Sequence, residues 1–423
     1  MRLKNRNIIF ITITLLALLV IVEVLAYLLL DFSILKNYNY PFFNRELSGY
    51  SLYKNSSGFE YENSIKRHEE ETNPIINKFG FISGEELKYE KDSPEFRIFI
   101  LGGSAAFGNG QSVPYNIIKD YPRTLYSFES SISGLLEKKL QNYNPDRRFV
   151  VVNACASGRM LNQSIGLYLE SIKNFQPDVV ISIDGMNDIA TMTGELPCKF
   201  SNFELDYYAN LYNLSKKLQQ KSFSNFVNLI RKLKLYRIEK SVSKKLEFNS
   251  QYLLQYNAKD YSKADYEIYK TDWISKSNVF TDLILEFNAV CKVHNCDFVF
   301  CLQPLLNRKI NKDLTPTEIL MQQSINPINR PLGENVFDES ELKNLEKFGN
   351  LTLMYFIDDY LSSQIDNLSQ ENNFYFLDLN QKMESNYGDK EFFVDYCHLT
   401  HDGNEFVSQV LFEKLVQIIN TTD

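Results

Sequence analysis

Short apolar runs recur along most of the chain and alternate with stretches of helical periodicity. The runs cover residues 96–101, 149–152, 178–183, 297–302 and 374–379, and the periodic stretches cover 124–140, 161–175, 273–294 and 405–419. Apolar strands that alternate with helices are typical of a parallel sheet buried on both faces. The pattern therefore predicts an α/β fold in which a parallel sheet forms the middle of a three-layer α/β/α sandwich.

The N-terminus has a different pattern, a continuous apolar run at residues 8–30 in which Glu23 is the only charge. As a helix this run would be about 34 Å long, which is enough to cross a bilayer. Three basic residues lie within positions 2–6, so we expect this flank to stay in the cytoplasm and the rest of the chain to lie outside. We predict a single-pass membrane protein; cleavage of a signal peptide after Ala26 is the alternative.

These patterns divide the chain into a flank and transmembrane anchor at 1–31, a membrane-proximal region at 32–95 and an α/β domain at 96–423. A helical insertion at 194–272 interrupts the α/β domain. Within it, residues 215–245 hold ten basic residues against one acidic residue, which fits either a surface for anionic lipid or polymer or a solvated face. The overall net charge of −8 argues against nucleic acid as a partner.

Small and polar residues follow the first three predicted strands, in the sequences GGSAAFG at 102–108, NACASG at 153–158 and DGMND at 184–188. A fourth polar sequence, DYCH at 395–398, precedes the last helix. Ligands of open α/β sheets bind beyond the carboxyl ends of the strands. We therefore expect these four segments to form one site.

The residue types in these segments indicate nucleophilic catalysis. Ser104 offers a hydroxyl nucleophile, His398 a base and Asp395 a carboxylate that orients the base. The backbone N–H groups of Ser104 and Gly158 and the side-chain amide of Asn187 are candidate donors to an oxyanion. No metal or organic cofactor is expected.

Other interpretations use the same residues. Ser104 could only cap a helix, and Gly158 and Asn187 could be plain turn residues. Asp395 and His398 could bind a metal together with His401 and Asp402. A thiol nucleophile at Cys397 is a further alternative. Cys155, Cys301 and Cys397 are expected to be buried small apolar residues, and Cys291 and Cys296 are close enough in sequence to pair; Cys198 completes the set of six.

Together, Gly103-Ser104 with Gly108, then Gly158, Gly185-Met186-Asn187-Asp188 and Asp395-x-x-His398, resemble the four sequence blocks of the SGNH/GDSL hydrolase superfamily. The resemblance covers about residues 80–403, without the insertion. One departure is Gly103, where the family usually has an aspartate. The Gly-Gly-Ser form, Asn77-x-x-Gly80-Phe81 and Gln303-Pro304 resemble its membrane-bound branch, whose members often act on O-acetyl groups of surface polysaccharides.

The resemblance implies an SGNH-hydrolase-like fold, a triad of Ser104, His398 and Asp395, and an oxyanion hole of Ser104, Gly158 and Asn187. The implied function is hydrolysis of an acyl ester on a carbohydrate, with O-acetyl favoured, through an acyl-Ser104 intermediate. One alternative is an O-acyltransferase for a cell-surface polysaccharide, which would need a polytopic partner or an ester donor to supply the acyl group. Another is a non-catalytic carbohydrate-binding scaffold of an export complex.

Overall fold

A computed structural model of the protein describes residues 2–31, 42–43, 51–52, 76–92, 94–111, 124–156, 158–193, 224–230, 233, 261–306, 313–319, 347–348, 350–383, 390–395 and 397–422. Most of the predicted insertion at 194–272, with Cys198, lies outside these residues. The chain forms two compact units: an anchor unit of Met1–Tyr40 with Phe203–Leu253, and a sheet unit of Pro41–Asn202 with Leu254–Asp423.

A five-stranded parallel sheet forms the centre of the sheet unit. Its strands are β1 (Glu95–Gly102), β2 (Arg148–Asn153), β3 (Val179–Asp184), β4 (Asp297–Leu302) and β5 (Tyr375–Asp378), in the spatial order β5-β4-β3-β1-β2. Each strand begins and ends within one residue of a predicted apolar run. The predicted parallel sheet is therefore confirmed.

Side chains of alternate residues enter two separate cores on the two faces of this sheet. In β1, Ile98 and Ile100 enter one core, which also contains side chains from α3 (Ile132–Tyr143) and α8 (His401–Thr422). Phe99 and Leu101 enter the other, with side chains from α4 (Leu161–Glu170), α6 (Lys263–Val293) and α7 (Asn350–Asn372). The three-layer α/β/α architecture is thus confirmed.

Several predicted helices differ in their bounds. The prediction of a helix over 124–140 is wrong in its first half, because Thr124–Leu125 pairs antiparallel with Asn109–Gln111, which in turn pairs parallel with Leu399–Thr400. The helix begins only at Ile132, after Ser131 accepts a hydrogen bond from the Gly134 N–H. The stretch 161–175 divides into α4 and a 3₁₀ turn at Ile172–Phe175.

Two short helices follow strands of the sheet, α2 (Ser104–Phe107) after β1 and α5 (Met186–Thr193) after β3. Two pairs of two-residue strands also belong to the sheet unit, Phe42–Phe43 with Ser51–Leu52 and Tyr261–Ser262 with Lys347–Phe348. The cysteines Cys155, Cys291, Cys296, Cys301 and Cys397 are buried and unpaired by disulfides, so Cys291 and Cys296 are thiols here.

The segment before β1 packs onto the sheet. Ile82 forms a β-bridge to Asn153 at the end of β2. The Arg97 guanidinium is buried, pairs with Glu95 at 2.6 Å and donates hydrogen bonds to the carbonyls of Lys88 and Phe175. These contacts fix the described residues 76–92 and 94–95 against the strands that carry the candidate site.

The anchor unit contains α1 (Arg2–Asp31) and a second helical segment at residues 225–230 and 233. The part of α1 from Thr12 to Leu29 is long and apolar enough to cross a membrane, a property that signal sequences share. Glu23 accepts hydrogen bonds from the Ser224 hydroxyl and, at 2.6 Å, from the Asn225 N–H.

Candidate active site

Ser104 lies where the chain turns from β1 into α2, at the carboxyl edge of the sheet. The turn passes so close to β3 that a Cβ on Gly102 would lie 2.3 Å from the Ile183 carbonyl oxygen, and Gly102 has a φ of +149°. A side chain would therefore be both obstructed and strained at this position. The glycine allows the chain to turn sharply and leaves the Ser104 side chain partly accessible.

His398 connects Ser104 to Asp395. Its Nε2 lies 2.7 Å from Ser104 Oγ, and its Nδ1 lies 2.7 Å from Asp395 Oδ2. The second carboxylate oxygen of Asp395 accepts the backbone N–H groups of Cys397 and His398 at 2.9 and 2.8 Å. The His398 side chain is only 5% exposed, so the contacts of both ring nitrogens lie in a largely dry environment. The structure thus brings the three predicted triad side chains into one hydrogen-bonded chain.

A glutamine after β4 holds the loop that carries His398. Gln303 Nε2 donates a hydrogen bond of 3.1 Å to the Cys397 carbonyl, and the Val394 N–H donates to the His398 carbonyl at 3.0 Å. Gln303 itself is buried. The loop is therefore tied to the central sheet as well as to itself. Sequence reasoning gave Gln303 no place in the site, since a main-chain acceptor such as the Cys397 carbonyl has no sequence signature.

Asn187 lies in the first turn of α5, beside the residue that precedes Ser104. Its Nδ2 donates a hydrogen bond of 2.9 Å to the Arg159 carbonyl. A Cβ on Gly103 would lie 2.5 Å from the same nitrogen. A side chain at Gly103 would therefore displace the Asn187 amide.

Gly158 lies in an exposed turn after β2, one residue before the carbonyl that holds Asn187. The loops after β1, β2 and β3 therefore meet at one edge of the sheet, as predicted. Ser104, Gly158 and Asn187 each belong to one of these loops. Their proposed part in stabilising an oxyanion stays a prediction.

Buried charged groups lie behind these loops. Burial raises the pKa of Asp184 to about 6, although a hydrogen bond of 2.5 Å from Ser182 Oγ opposes the shift. Burial and the nearby Asp184 raise the pKa of Asp188 well above its usual range. Asp188 Oδ1 accepts the Leu161 N–H at 3.1 Å, so it joins the start of α4 to α5. The Arg159 guanidinium is also buried and lowers the pKa of Asp184 by its charge.

Asp395 and His398 are also candidates for a metal site together with His401 and Asp402. Asp395, Cys397 and His398 offer ligand atoms within 4.8 Å of one another. His401 and Asp402 do not join them in the part of the chain that the structure describes: His401 lies beside Tyr126 and Asp402 pairs with Lys390. The predicted alternative of a four-residue metal cluster is therefore not assembled.

The Cys397 thiol is also poorly placed as a nucleophile. Its Sγ lies 3.6 Å from His398 Nδ1, the ring nitrogen that Asp395 holds. Ser104 instead faces Nε2, so the serine and not the thiol occupies the position of a group that a base activates.

Comparisons with known proteins find similarity only among solved structures. No protein-family model and no curated protein sequence matches the chain. A GDSL-like lipase from Bacteroides thetaiotaomicron is 10% identical, with 75% of this chain and 88% of the lipase covered and a TM-score of 0.31. A catalytic mutant of an acetylxylan esterase from Geobacillus stearothermophilus is 11% identical, with 75% and 93% covered and a TM-score of 0.36. An acetyl xylan esterase is 12% identical, with 75% and 99% covered and a TM-score of 0.36. The structures to which this chain is similar are thus ester hydrolases, a GDSL-like lipase among them.

Proposed function

We propose that this protein is a serine esterase that hydrolyses an acyl ester, with O-acetyl favoured, on a carbohydrate through an acyl-Ser104 intermediate. The hydrogen-bonded chain from Ser104 Oγ through both ring nitrogens of His398 to Asp395 carries the proposal. A binding scaffold would have no use for a hydroxyl, a base and an orienting carboxylate in this order. The complete chain therefore favours catalysis over the scaffold alternative.

The geometry supports a two-step mechanism. His398 Nε2 accepts the Ser104 proton as Oγ attacks the ester carbonyl carbon, and Asp395 holds the ring in the tautomer with hydrogen on Nδ1. The negative oxygen of the tetrahedral intermediate accepts hydrogen bonds from the Ser104 N–H, the Gly158 N–H and Asn187. His398 returns the proton to the leaving sugar oxygen. Water then attacks the acyl-Ser104 ester by the same route and releases the acid.

Asn187 is suited to serve as a donor because its amide nitrogen is oriented by protein. Nδ2 carries two hydrogens, and the Arg159 carbonyl accepts one of them. The proposed role of the other hydrogen is to bind the oxyanion. An amide held in this way loses little entropy when the negative charge develops.

The carbohydrate part of the proposal follows the resemblance to the membrane-bound SGNH branch. Water as the acceptor gives hydrolysis, and a sugar hydroxyl in its place gives O-acyl transfer. A transferase would also need an acyl donor on the same side of the membrane as the site, delivered by a polytopic partner or present as an ester. Hydrolysis needs neither and uses the same residues.

The test is the release of acid and alcohol from a chromogenic acetyl ester by the full chain, with and without oligosaccharide acceptors. Ser104→Ala should reduce the rate at least about 10³-fold, because the nucleophile is lost. Ser369→Ala is a matched control: Ser369 lies near the end of α7, before β5 begins, and its hydroxyl bonds the Asp366 carbonyl. Activity retained in Ser104→Ala would refute the nucleophile, and acetylated sugar without acid release would replace the hydrolase with a transferase.

A further inference from the structure

The only charge in the apolar run of α1 is bound by a distant part of the chain. Glu23 accepts hydrogen bonds from the Ser224 hydroxyl, from the Asn225 N–H at 2.6 Å and from the Phe226 N–H at 3.4 Å. Ser224 is 201 positions away in sequence. Both segments belong to the anchor unit, so the insertion and the apolar helix form one structural element.

This contact resolves two energetic problems at once. A carboxylate within a membrane-spanning segment is costly unless it is paired or bonded. The first N–H groups of a helix likewise have no partners within that helix, and leaving them unbonded in lipid is costly. The residues at 224–226 begin the second helical segment. The Ser224 hydroxyl and the N–H groups of Asn225 and Phe226 donate to the Glu23 carboxylate, so one contact provides partners for the carboxylate and for the start of the helix.

The second helical segment exposes large apolar side chains. Phe226, Val227, Ile230 and Leu233 are between 36% and 44% exposed, whereas Leu229 is buried. Such side chains, four within eight positions, are unfavourable in water and favourable in lipid. In the sequence, Arg231, Lys232 and Lys234 adjoin them, which suits an interface with anionic headgroups.

The depth of Glu23 agrees with a position at the membrane interface. It lies seven positions before the end of the apolar run at Leu30, which is about 10 Å along a helix. An amphipathic helix that lies in the interface plane buries its apolar face about 5–10 Å into the boundary of headgroups and acyl chains. The second helical segment, whose first residues bond Glu23, would therefore lie at this depth.

We infer that the helical segment at residues 225–230 and 233 is an interfacial membrane helix that Glu23 holds against the anchor, with Phe226, Val227, Ile230 and Leu233 inserted among the lipids. The surface recognised is that of the bilayer itself, on the side where α1 ends. The insertion thus gives the protein a second membrane contact besides α1. This inference is independent of the proposed esterase activity.

Depth-dependent fluorescence quenching tests this inference in the full chain. Trp273 is the only tryptophan, so Trp273→Phe with Phe226→Trp places a single reporter in the segment. The protein is reconstituted into phosphatidylcholine–phosphatidylglycerol vesicles with and without bromine on the acyl chains. We expect the brominated lipid to reduce the emission about twofold, with a spectrum shifted to the blue. Adding Glu23→Ala should abolish most of this quenching, since the helix loses its attachment.

The control for the anchor is Val24→Ala, which changes a neighbouring exposed apolar side chain and keeps the carboxylate. Quenching should persist in this variant. The inference is overturned if the Phe226→Trp reporter is not quenched. A blue shift without quenching would show that protein rather than lipid covers the reporter. Equal quenching with and without Glu23 would overturn it as well. Ile230→Trp serves as a second reporter if circular dichroism shows that the Phe226 variant is misfolded.

Discussion

Close contacts with single atoms limit which residue types fit at the candidate site. Gly103 is the clearest case, because the space where its side chain would begin is filled by the Asn187 amide nitrogen, only 2.5 Å away. Arg159 contributes a backbone carbonyl that holds this amide, and Gln303 holds the Cys397 carbonyl in the same manner. The sequence predicted that Ser104, Asp395 and His398 act together, because nucleophilic catalysis depends on residue type and order, and the structure places the three side chains in hydrogen-bond contact. It could not find the contacts of Arg159 and Gln303, which involve main-chain acceptors.

We predict that Gly103→Ala lowers kcat about 10²-fold, because the new methyl group displaces the Asn187 amide from its working position. Asn187→Ala should itself cost about 10²–10³ in rate through loss of one oxyanion donor. The double variant should be little worse than Asn187→Ala alone, since the atoms with which the methyl group collides are gone. The measurement is ester hydrolysis by all four proteins.

If the rate losses of Gly103→Ala and Asn187→Ala multiply in the double variant, this coupling is contradicted. Gly103 would then be required for a reason other than its contact with Asn187. A change of less than threefold in Asn187→Ala would assign Asn187 a structural role only. The Arg159 carbonyl, 3.4 Å from the new methyl group, is close enough to need a small adjustment in either background.

At the level of elements, the strands were predictable and the helices less so. Strands β1 to β4 are buried almost throughout and β5 over its second half, so each stands out as an apolar run. Thr124–Leu125 was predicted as helix because its pairing with Asn109–Gln111 is a tertiary contact that periodicity does not reveal. α6 begins ten residues before its predicted start, and α7 was not predicted at all. Both regions contain many charged or amide residues, which weaken the apolar periodicity.

The packing of α3 on β2 makes stability depend on pH. Glu137 in α3 is partly buried, and its carboxylate accepts the Val151 N–H of β2 at 2.8 Å. Burial raises its pKa to about 7, above the ordinary value of 4.5. Folding therefore favours the protonated form. The resulting stabilisation is complete below pH 4.5 and is lost as the pH rises through about 7.

We predict that Glu137→Gln removes much of this dependence, because an amide stays neutral and its oxygen can still accept the Val151 N–H. At pH 8 the variant should be more stable than the parent by about 1–3 kcal/mol. Urea denaturation between pH 5 and 8 is the measurement. Glu86→Gln is the control: hydrogen bonding to Lys78 lowers the pKa of Glu86, so its effect has the opposite sign. The prediction is contradicted if the free energy of unfolding falls by the same amount between pH 5 and 8 in Glu137→Gln and in the parent.

For the whole molecule, the contacts of the anchor unit bear on whether α1 is retained. Cleavage after Ala26 would remove Glu23 and leave Ser224 and Asn225 without their acceptor. Ala26 is itself buried, at 2% exposure, which hinders access to the bond that follows it. These features favour an uncleaved anchor.

We predict that the protein isolated from membranes still contains residues 1–26, as shown by its intact mass. Protease added to the extracytoplasmic side should digest the chain after residue 31, whereas the basic N-terminal flank should be cut only after lysis. Ala26→Leu, which would block cleavage at this site, should leave the mass unchanged apart from the substitution. A mature protein that begins at Tyr27, or complete protection of the region after 31, would show that the topology is wrong.

Ser104 and His398 are 294 positions apart in the chain, and this separation has a consequence for biosynthesis. At about 5–20 residues per second, the ribosome needs roughly 15–60 s after Ser104 to reach His398. During that interval the growing polypeptide contains the proposed nucleophile but lacks its proposed base. On the mechanism proposed above, we therefore expect the unfinished polypeptide to be unable to attack esters around it. We expect esterase activity to begin only when the chain has folded up to α8.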